Sequence, residues 1–182
     1  MSLVNTFDAL IQDDWKLPRD GAFWLIREEN NTSNPLLKVT GAKATGFSLD
    51  KSGAKPWPFL KALEGVLKVC DGIVVSQIEG RSYVLAIEMK SDNTTKAGKQ
   101  IYSTWLLTEW LRGLLKLHGH WDGDWRFCGV ISSTPRRQES KGTSRHVPSL
   151  QVYRDPPKYP LIHLRNQQKL NLIDLDNALE AA

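Results

Sequence analysis

The sequence predicts an α/β fold in which helices cover both sides of a mixed central sheet. Residues 69–77 and 82–90 form two apolar runs separated by Glu79-Gly80, a pattern typical of a β-hairpin. A long apolar segment at 95–118 predicts a helix, and the apolar run at 125–132 predicts another strand. Because a helical crossover joins parallel strands, the last strand is expected to lie parallel to its neighbour, which makes the sheet mixed.

The N-terminal region predicts a helix followed by a pair of strands. Leu3, Phe7 and Leu10 recur at helical spacing after Ser2, a favourable cap residue, so a helix is expected over residues 3–15. Two short apolar runs flank a turn-rich segment and are able to pair as a hairpin. These runs are residues 23–26 and 36–40.

The segment before the central hairpin predicts a loop and then a second helix. Residues 41–55 contain Gly, Ser and Lys and indicate a loop that ends at Pro56-Trp57-Pro58. Proline is favourable at the start of a helix, and the apolar pattern that follows predicts a helix over residues 59–68.

The C-terminal region predicts a strand and a closing helix within one domain. The strand is expected over residues 159–165 and the helix over 170–179. The length of 182 residues favours a single domain spanning 1–182. Its expected parts are a core at 57–132, an N-terminal extension at 1–56, a basic loop at 133–149 and a C-terminal strand and helix at 158–180.

Composition restricts the functional classes without choosing among them. A net charge of +4 suits a polyanionic partner and is also ordinary for a globular domain. Cys70 and Cys128 both lie in apolar runs, which indicates reduced core thiols in a cytoplasmic protein. No apolar stretch has the length of a membrane span or a signal peptide, so no membrane association is expected. Neither a Walker-type glycine loop nor a Gly-x-Ser-x-Gly elbow is present, which disfavours nucleotide-driven work and serine hydrolysis.

Three charged residues interrupt the apolar runs of the predicted hairpin. Asp71 lies near the start of its first strand, and Glu88 and Lys90 lie near the end of its second. Side chains alternate along a strand, so Glu88 and Lys90 are expected on one face, roughly 6–7 Å apart. Two carboxylates could bind Mg²⁺, while the ammonium of Lys90 could orient a water or stabilise charge on a phosphate. The same residues could also form an ordinary exposed strand face.

Residues 57–132 resemble the PD-(D/E)xK nuclease superfamily, and the resemblance is based on Asp71, Glu88 and Lys90. The resemblance implies a restriction-endonuclease-like three-layer α/β/α core with a mixed central sheet. It also implies Asp71 and Glu88 as metal ligands and Lys90 as the catalytic lysine. Cys70 stands where the superfamily's name-giving proline would be, and Gln100 lies on the following helix as a further catalytic candidate.

The resemblance suggests one further metal ligand and leaves one question about the order of the core elements. An acidic residue on the helix before the aspartate strand often adds to the metal site of the superfamily, so Glu64 is a candidate ligand, or else a solvated helix residue. The usual core order also places a strand between that helix and Asp71. Residues 36–47 could supply this strand if the first core helix lies nearer the N-terminus; otherwise the hairpin is arranged differently.

Basic residues near the motif are candidates for contacts with a nucleic-acid backbone. Lys96 and Lys99 fall in the first turns of the predicted long helix, where their ammonium groups could receive a phosphate or remain solvated. A second basic group lies in the expected loop, which could track backbone phosphates or serve as a solvated linker. Its members are Arg136, Arg137, Lys141 and Arg145.

The sequence therefore predicts a Mg²⁺-dependent nuclease, with Mn²⁺ able to substitute, that hydrolyses phosphodiester bonds; DNA is favoured over RNA as the assigned substrate, and the choice between them stays open. The alternative is a non-catalytic or partner-dependent subunit of a defence or mobile-element complex that binds nucleic acid or protein. The apolar circumference of the long helix also leaves room for a homodimer or a protein partner. Cleavage mode, base specificity and oligomeric state stay open at this point.

Overall fold

The computed structural model describes residues 1–27, 36–51, 57, 59–61, 63–90, 96–133, 149–152, 159–165 and 167–180. Within these residues the chain is a mixed α/β structure with three helices and two mixed sheets. The helices are α1 (Leu3–Leu10), α2 (Ala97–Leu117) and α3 (Leu172–Glu180). The strands are β1 (Arg19–Asp20), β2 (Phe23–Ile26), β3 (Leu37–Thr40), β4 (Lys43–Phe47), β5 (Gly72–Ile78), β6 (Arg81–Lys90), β7 (Arg126–Ser133), β8 (Ser149–Val152), β9 (Pro160–Arg165) and β10 (Lys169–Asn171).

The larger sheet has the described strand order β4-β5-β6-β7-β9-β8. The first three strands form an antiparallel meander, and β7 and β9 then run parallel to β6. Strand β8 pairs antiparallel with β9 at the edge. The predicted hairpin, its parallel neighbour and the mixed character of the sheet are therefore confirmed.

The turn between β5 and β6 fixes the register of this hairpin. Both Glu79 and Gly80 have positive φ, at 48° and 84°. Two consecutive residues in that region match the twist of a two-residue hairpin turn. The turn sets Ile78 opposite Arg81, and the pairing continues to Gly72 opposite Ile87.

The smaller sheet has the order β1-β2-β3-β10 and packs on one face of the larger sheet. Strands β2 and β3 pair antiparallel, which confirms the predicted N-terminal hairpin, and β10 joins β3 in parallel. Strand β10 follows the predicted strand at β9, and α3 confirms the predicted closing helix.

Two apolar cores separate the layers. The first core lies between the larger sheet and helices α1 and α2, and it contains Phe7, Ala86 and Ile101. The second core lies between the larger sheet and the smaller sheet with α3, and it contains Ile26 and Ile87. The expectation of helices in both outer layers is therefore only partly right, because one outer layer is the smaller sheet with α3.

Helix α1 is capped at its N-terminus and packs into the first core. The hydroxyl of Ser2 accepts a hydrogen bond from the backbone N–H of Asn5 at 3.3 Å, which confirms Ser2 as the cap. Phe7 lies against the rings of Phe47 and Trp125, with centroid distances of 6.1 and 5.9 Å. The helix ends at Leu10, earlier than predicted, and a short 3-10 turn follows at Asp13–Trp15.

The predictions for residues 41–68 need correction. Strand β4 lies inside the segment that was expected to be a loop, and it pairs with the full central part of β5. The predicted helix over 59–68 is wrong for the described residues of that range, which form turns and irregular backbone. Leu60, Leu63 and Val66 remain exposed, so their spacing does not correspond to a buried helix face.

Helix α2 confirms the predicted long helix and lies against β6 and β7. Gly129 allows this approach, because a Cβ there would come within 2.8 Å of the side chains of Ile101 and Leu161. The opposite side of α2 exposes Leu106, Trp110 and Leu117. No helix in the described part of the chain has the length and apolar character needed to cross a membrane.

Candidate active site

Asp71 and the Glu88–Lys90 segment lie at neighbouring strand ends of the larger sheet. Asp71 immediately precedes β5, and Glu88 and Lys90 belong to the last residues of β6. Because β5 and β6 are antiparallel with Gly72 opposite Ile87, Asp71 comes level with Glu88. The fold thus brings together the charged residues that the sequence separates.

Alternation along β6 directs the two charged side chains toward α2. Ala86 belongs to the first core, whereas Ile87 and Met89 belong to the second. Glu88 and Lys90 continue the alternation of Ala86 and therefore lie on the face that α2 covers. The predicted separation of charged and apolar faces at the end of this strand is confirmed.

Hydrogen bonds and one ion pair connect these residues. The backbone N–H of Met89 donates to Asp71 Oδ2 at 2.6 Å, which ties the aspartate to the end of β6. Lys90 Nζ forms an ion pair with Glu88 Oε1. Lys90 Nζ also donates to Gln100 Oε1 at 3.2 Å. Gln100, a predicted catalytic residue, therefore contacts the predicted catalytic lysine directly.

Helix α2 holds the backbone before Asp71 through two polar side chains. Gln100 Nε2 donates to the carbonyl of Val69 at 3.3 Å. The N–H of Cys70 donates to Thr104 Oγ1 at 3.0 Å, and the same hydroxyl donates to the carbonyl of Gln100. Thr104 is a positioning residue that sequence reasoning missed, since a threonine within an apolar helix gives no local sign of a tertiary partner.

The two carboxyl groups are almost completely removed from solvent. Asp71 is 6% exposed and Glu88 is 0% exposed. Burial raises the pKa of Asp71, and the nearby charge of Glu88 raises it further. Burial also raises the pKa of Glu88, against the opposing effect of the Lys90 ammonium. The site therefore retains protons more strongly than free carboxyl groups do.

Asp50 is a third acidic residue near this pair, and sequence reasoning missed it. Strand β4 places Phe47 opposite Ile73, so the chain that leaves β4 comes level with Asp71 within a few residues. The negative charge of Asp50 raises the pKa of both Asp71 and Glu88. An acidic residue shortly after a strand could have identified Asp50 as a site residue. It was not recognised because β4 lies in a segment that was predicted to be a loop.

The residues present fit a hard divalent cation. Glu88 Oε2 is buried and has no hydrogen-bond partner among the residues that the structure describes. Carboxylate oxygens are the donors that Mg²⁺ and Mn²⁺ prefer. Within the same residues, no three His, Cys, Asp or Glu side chains form a group that could hold a metal ion. Neither Glu64 nor Asp50 therefore completes a three-carboxylate group with Asp71 and Glu88, which leaves these two carboxylates as the candidate ligands.

Glu64 instead lines a cleft beside the site. The cleft has a volume of about 340 Å³ and is bounded by α2 and the turn before Val69. Its lining residues are Glu64, Gly65, Lys68, Lys96, Lys99 and Gln100. The structure thus brings the predicted phosphate contacts Lys96 and Lys99 together with Gln100. It adds Lys68, which sequence reasoning missed because that lysine had been placed at the end of a predicted helix.

The second group of predicted nucleic-acid contacts lies outside the described residues. These residues are Arg136, Arg137, Lys141 and Arg145. Their predicted role stays a prediction. No family model, no curated protein and no solved structure matches the chain.

Proposed function

We propose that this chain is a Mg²⁺-dependent nuclease that hydrolyses phosphodiester bonds, and we assign DNA rather than RNA as its substrate. The observation that supports the proposal is the clustering of Asp71, Glu88 and Lys90 at adjoining strand ends, on the face that α2 covers. Two buried carboxylates carry two negative charges, and the single lysine beside them balances only one. The remaining charge is unfavourable when no metal ion is bound. Such costs are typical of functional sites.

The order of the core elements supports membership of the PD-(D/E)xK superfamily with a restriction-endonuclease-like core. Helix α1 precedes an antiparallel meander of β4, β5 and β6, which α2 and the parallel strand β7 follow. In this assignment β4 would be the strand expected before Asp71, and α1 would be the first core helix. The smaller sheet is then an insertion whose first three strands lie between α1 and β4.

In this mechanism Asp71 and Glu88 would hold the divalent cation. The cation, when bound, would polarise the scissile phosphate and lower the pKa of a bound water. Lys90 contributes a positive charge that Gln100 and Glu88 hold in place, so the charge can stabilise the negative oxygens of the reacting phosphate. Gln100 fixes that lysine relative to Val69 and hence to the chain that carries Asp71.

The test is incubation of the purified protein with linear duplex, circular and single-stranded DNA and with single-stranded RNA. Each substrate is offered with Mg²⁺, Mn²⁺ or EDTA. We expect metal-dependent cleavage that Asp71→Ala and Lys90→Ala each reduce by at least about 100-fold, because each removes a charge that acts in the transition state. Asp122→Ala and Lys116→Ala remove exposed charges elsewhere and should retain the wild-type rate.

Thermal denaturation of every variant separates loss of chemistry from loss of folding. Cleavage by Asp71→Ala or Lys90→Ala at the wild-type rate would contradict the assignment of the site. Cleavage in EDTA at the rate seen with Mg²⁺ would contradict the role of the cation.

A second function is favoured by the exposed apolar face of α2. Leu106, Trp110 and Leu117 are exposed on a helix whose opposite side is buried. Exposed apolar side chains grouped on one element are typical of contact surfaces. A partner-dependent or non-catalytic subunit that binds nucleic acid or protein is therefore the alternative, and it predicts no cleavage of any of the four substrates by the protein alone.

A further inference from the structure

We propose that the cleft beside α2 binds one strand of a nucleic acid through its phosphates, so that the protein prefers single-stranded to duplex DNA. The proposal deepens the proposed function, on which the link between the cleft and cleavage rests. The cleft is the space of about 340 Å³ between the start of α2 and the turn before Val69.

The charge of the cleft favours a polyanion. Lys68, Lys96 and Lys99 contribute three positive charges to its lining, against one negative charge from Glu64. None of these lysines forms an ion pair within 4.0 Å with any carboxylate of the described residues. No carboxylate of the described residues therefore neutralises these charges, and backbone phosphates are the anions that closely spaced lysines bind in nucleic acids.

The position of the cleft connects it to the candidate active site. Gln100 lines the cleft and accepts a hydrogen bond from Lys90 Nζ at 3.2 Å. Gln100 thus belongs to both the cleft and the candidate site, and in the proposed binding mode a strand held by Lys96 and Lys99 continues past Gln100 toward Lys90.

The size of the cleft favours one strand over two. A volume of about 340 Å³ lies near the lower end of the range for small-ligand pockets, roughly 300–1,000 Å³, which suits a unit of nucleotide size. The two paired strands of a duplex lie on opposite sides of a major groove about 12 Å wide, so both strands cannot enter a space of this volume together. An intact duplex can touch the rim of the cleft, whereas an unpaired nucleotide can enter it.

The experiment measures binding of fluorescent single-stranded and duplex oligonucleotides of the same sequence by anisotropy, in EDTA, over a range of salt concentrations. Binding in EDTA requires no cleavage, so it is independent of the proposed chemistry. We expect the wild-type protein to bind the single strand more tightly than the duplex. Lys68→Ala/Lys99→Ala should weaken single-strand binding at least about tenfold and reduce the salt slope by about 1.4, or about 0.7 per lost phosphate contact.

Lys116→Ala is the matched control for position on the same helix. Lys116 is exposed in the last turn of α2, roughly 25 Å from Lys99 at 1.5 Å per residue. This variant should keep both the affinity and the salt slope of the wild type. A smaller decrease is expected for duplex binding by the cleft variant, because a duplex contacts only the rim.

Three results would overturn the cleft proposal. In the first, the cleft variant and the Lys116→Ala control bind the single strand equally well. In the second, the wild type binds the duplex more tightly than the single strand. In the third, the wild type binds neither probe. Failure of the proposed function looks different: the single strand binds through the cleft lysines, but no metal ion produces cleavage.

Discussion

Asp71 combines an unfavourable environment with a defined hydrogen bond. Its carboxyl group is nearly buried beside Glu88, and Met89 donates to one of its oxygens at 2.6 Å. Burial and the charge of Glu88 raise its pKa, so the folded state binds a proton that the unfolded state releases at the same pH. The contribution of this group to stability is therefore greatest below the pKa of the unfolded chain, near 4, and is lost as pH rises through the raised pKa.

Replacing this carboxyl group should stabilise the protein at alkaline pH in the absence of metal. Asp71→Asn keeps an acceptor for Met89 but removes the buried charge, so at pH 8.5 in EDTA we expect a gain of about 1 kcal/mol or more. For a chain of this size that gain corresponds to a rise in Tm of roughly 2–4 °C per kcal/mol. At pH 5, where the wild-type carboxyl group is largely protonated, the difference should shrink.

The same denaturation series with Mg²⁺ or Mn²⁺ tests the cation site. The cation should raise the wild-type Tm more at pH 8.5 than at pH 5, because binding needs deprotonated carboxyl groups. It should have little effect on Asp71→Asn. Asp122→Asn, which removes an exposed carboxyl group, is the control. An equal metal-induced shift in Asp71→Asn and wild type would contradict the ligand role of Asp71.

The sequence predicted some residues of the site and not others, for a physical reason. Asp71, Glu88 and Lys90 are charged residues within apolar runs, and such interruptions are visible without any tertiary information. Asp50 and Thr104 act only through neighbours that are distant in sequence, since one adjoins β5 and the other caps an N–H of Cys70. Their positions depend on strand pairing and helix packing, which local patterns do not specify.

At the scale of elements, the smaller sheet supports the strand that follows Asp71. Gly72 begins β5, and a Cβ at this position would lie 2.9 Å from Ile26 Cδ1 and 3.1 Å from both Cγ atoms of that residue. Ile26 is completely buried in the second core and has little room to move. The absence of a side chain at Gly72 therefore allows β2 to lie directly against the backbone beside Asp71.

A methyl group at Gly72 should disturb both folding and cleavage. Gly72→Ala is expected to cost about 1–3 kcal/mol, the usual range for overpacking in a core. The displacement falls next to Asp71, so under the proposed function the cleavage rate should also fall. Denaturant titration and a rate measurement well below the transition separate the two effects.

Ile26→Val provides the matched compensation. This change removes the Cδ1 atom nearest to the added methyl group and alone should cost about 0.5–1.5 kcal/mol. The loss of unfolding free energy in the double variant should be smaller than the sum of the two single losses by about 0.5 kcal/mol or more. Strict additivity would show that the two positions do not compete for the same space.

The elements that the sequence predicted well are those with strong local signals. The hairpin at β5 and β6 has a two-residue turn with its own backbone preference, and α2 is a long apolar segment without proline that ends before Gly119. Strand β4 (Lys43–Phe47) lies in a segment that was expected to be a loop, with a strand over 36–47 only as the alternative, because lysine and glycine weaken its apolar pattern; its last three residues are nevertheless buried. The expected helix at 59–68 failed because helical spacing alone does not supply a partner surface.

At the scale of the whole molecule, β6 connects two cores and the C-terminal helix. Side chains of β6 alternate between the first and second cores, so both layers depend on one strand. At its start, Arg81 and Tyr83 donate to Asp176 on α3. At its far end lie Glu88 and Lys90. The strand therefore joins a structural ion pair to the candidate site, since Glu88 and Lys90 lie roughly 23 and 30 Å along the strand from Arg81 at about 3.3 Å per residue.

Asp176→Asn should separate the stability of the whole molecule from its activity. Asp176 is 2% exposed, and the hydrogen bond from Arg81 is the main cause of its lowered pKa. A lowered carboxyl pKa contributes stability above the unfolded value, near 4, and that contribution is lost as pH falls through the folded pKa. We therefore expect a loss of about 1–3 kcal/mol at pH 7, measured by denaturant titration, that diminishes as the pH falls below about 4.

The distance between the two ends of β6 makes the accompanying rate measurement informative. Below its own Tm, Asp176→Asn should cleave at the wild-type rate if the proposed function holds, because Lys90 and its partners lie at the opposite end of the strand. Asp122→Asn should change neither property. An unchanged stability at pH 7 would contradict the role of Asp176 in holding α3. A rate loss in fully folded Asp176→Asn would instead show that α3 affects the site through β6, because this substitution removes no charge near Asp71 or Glu88.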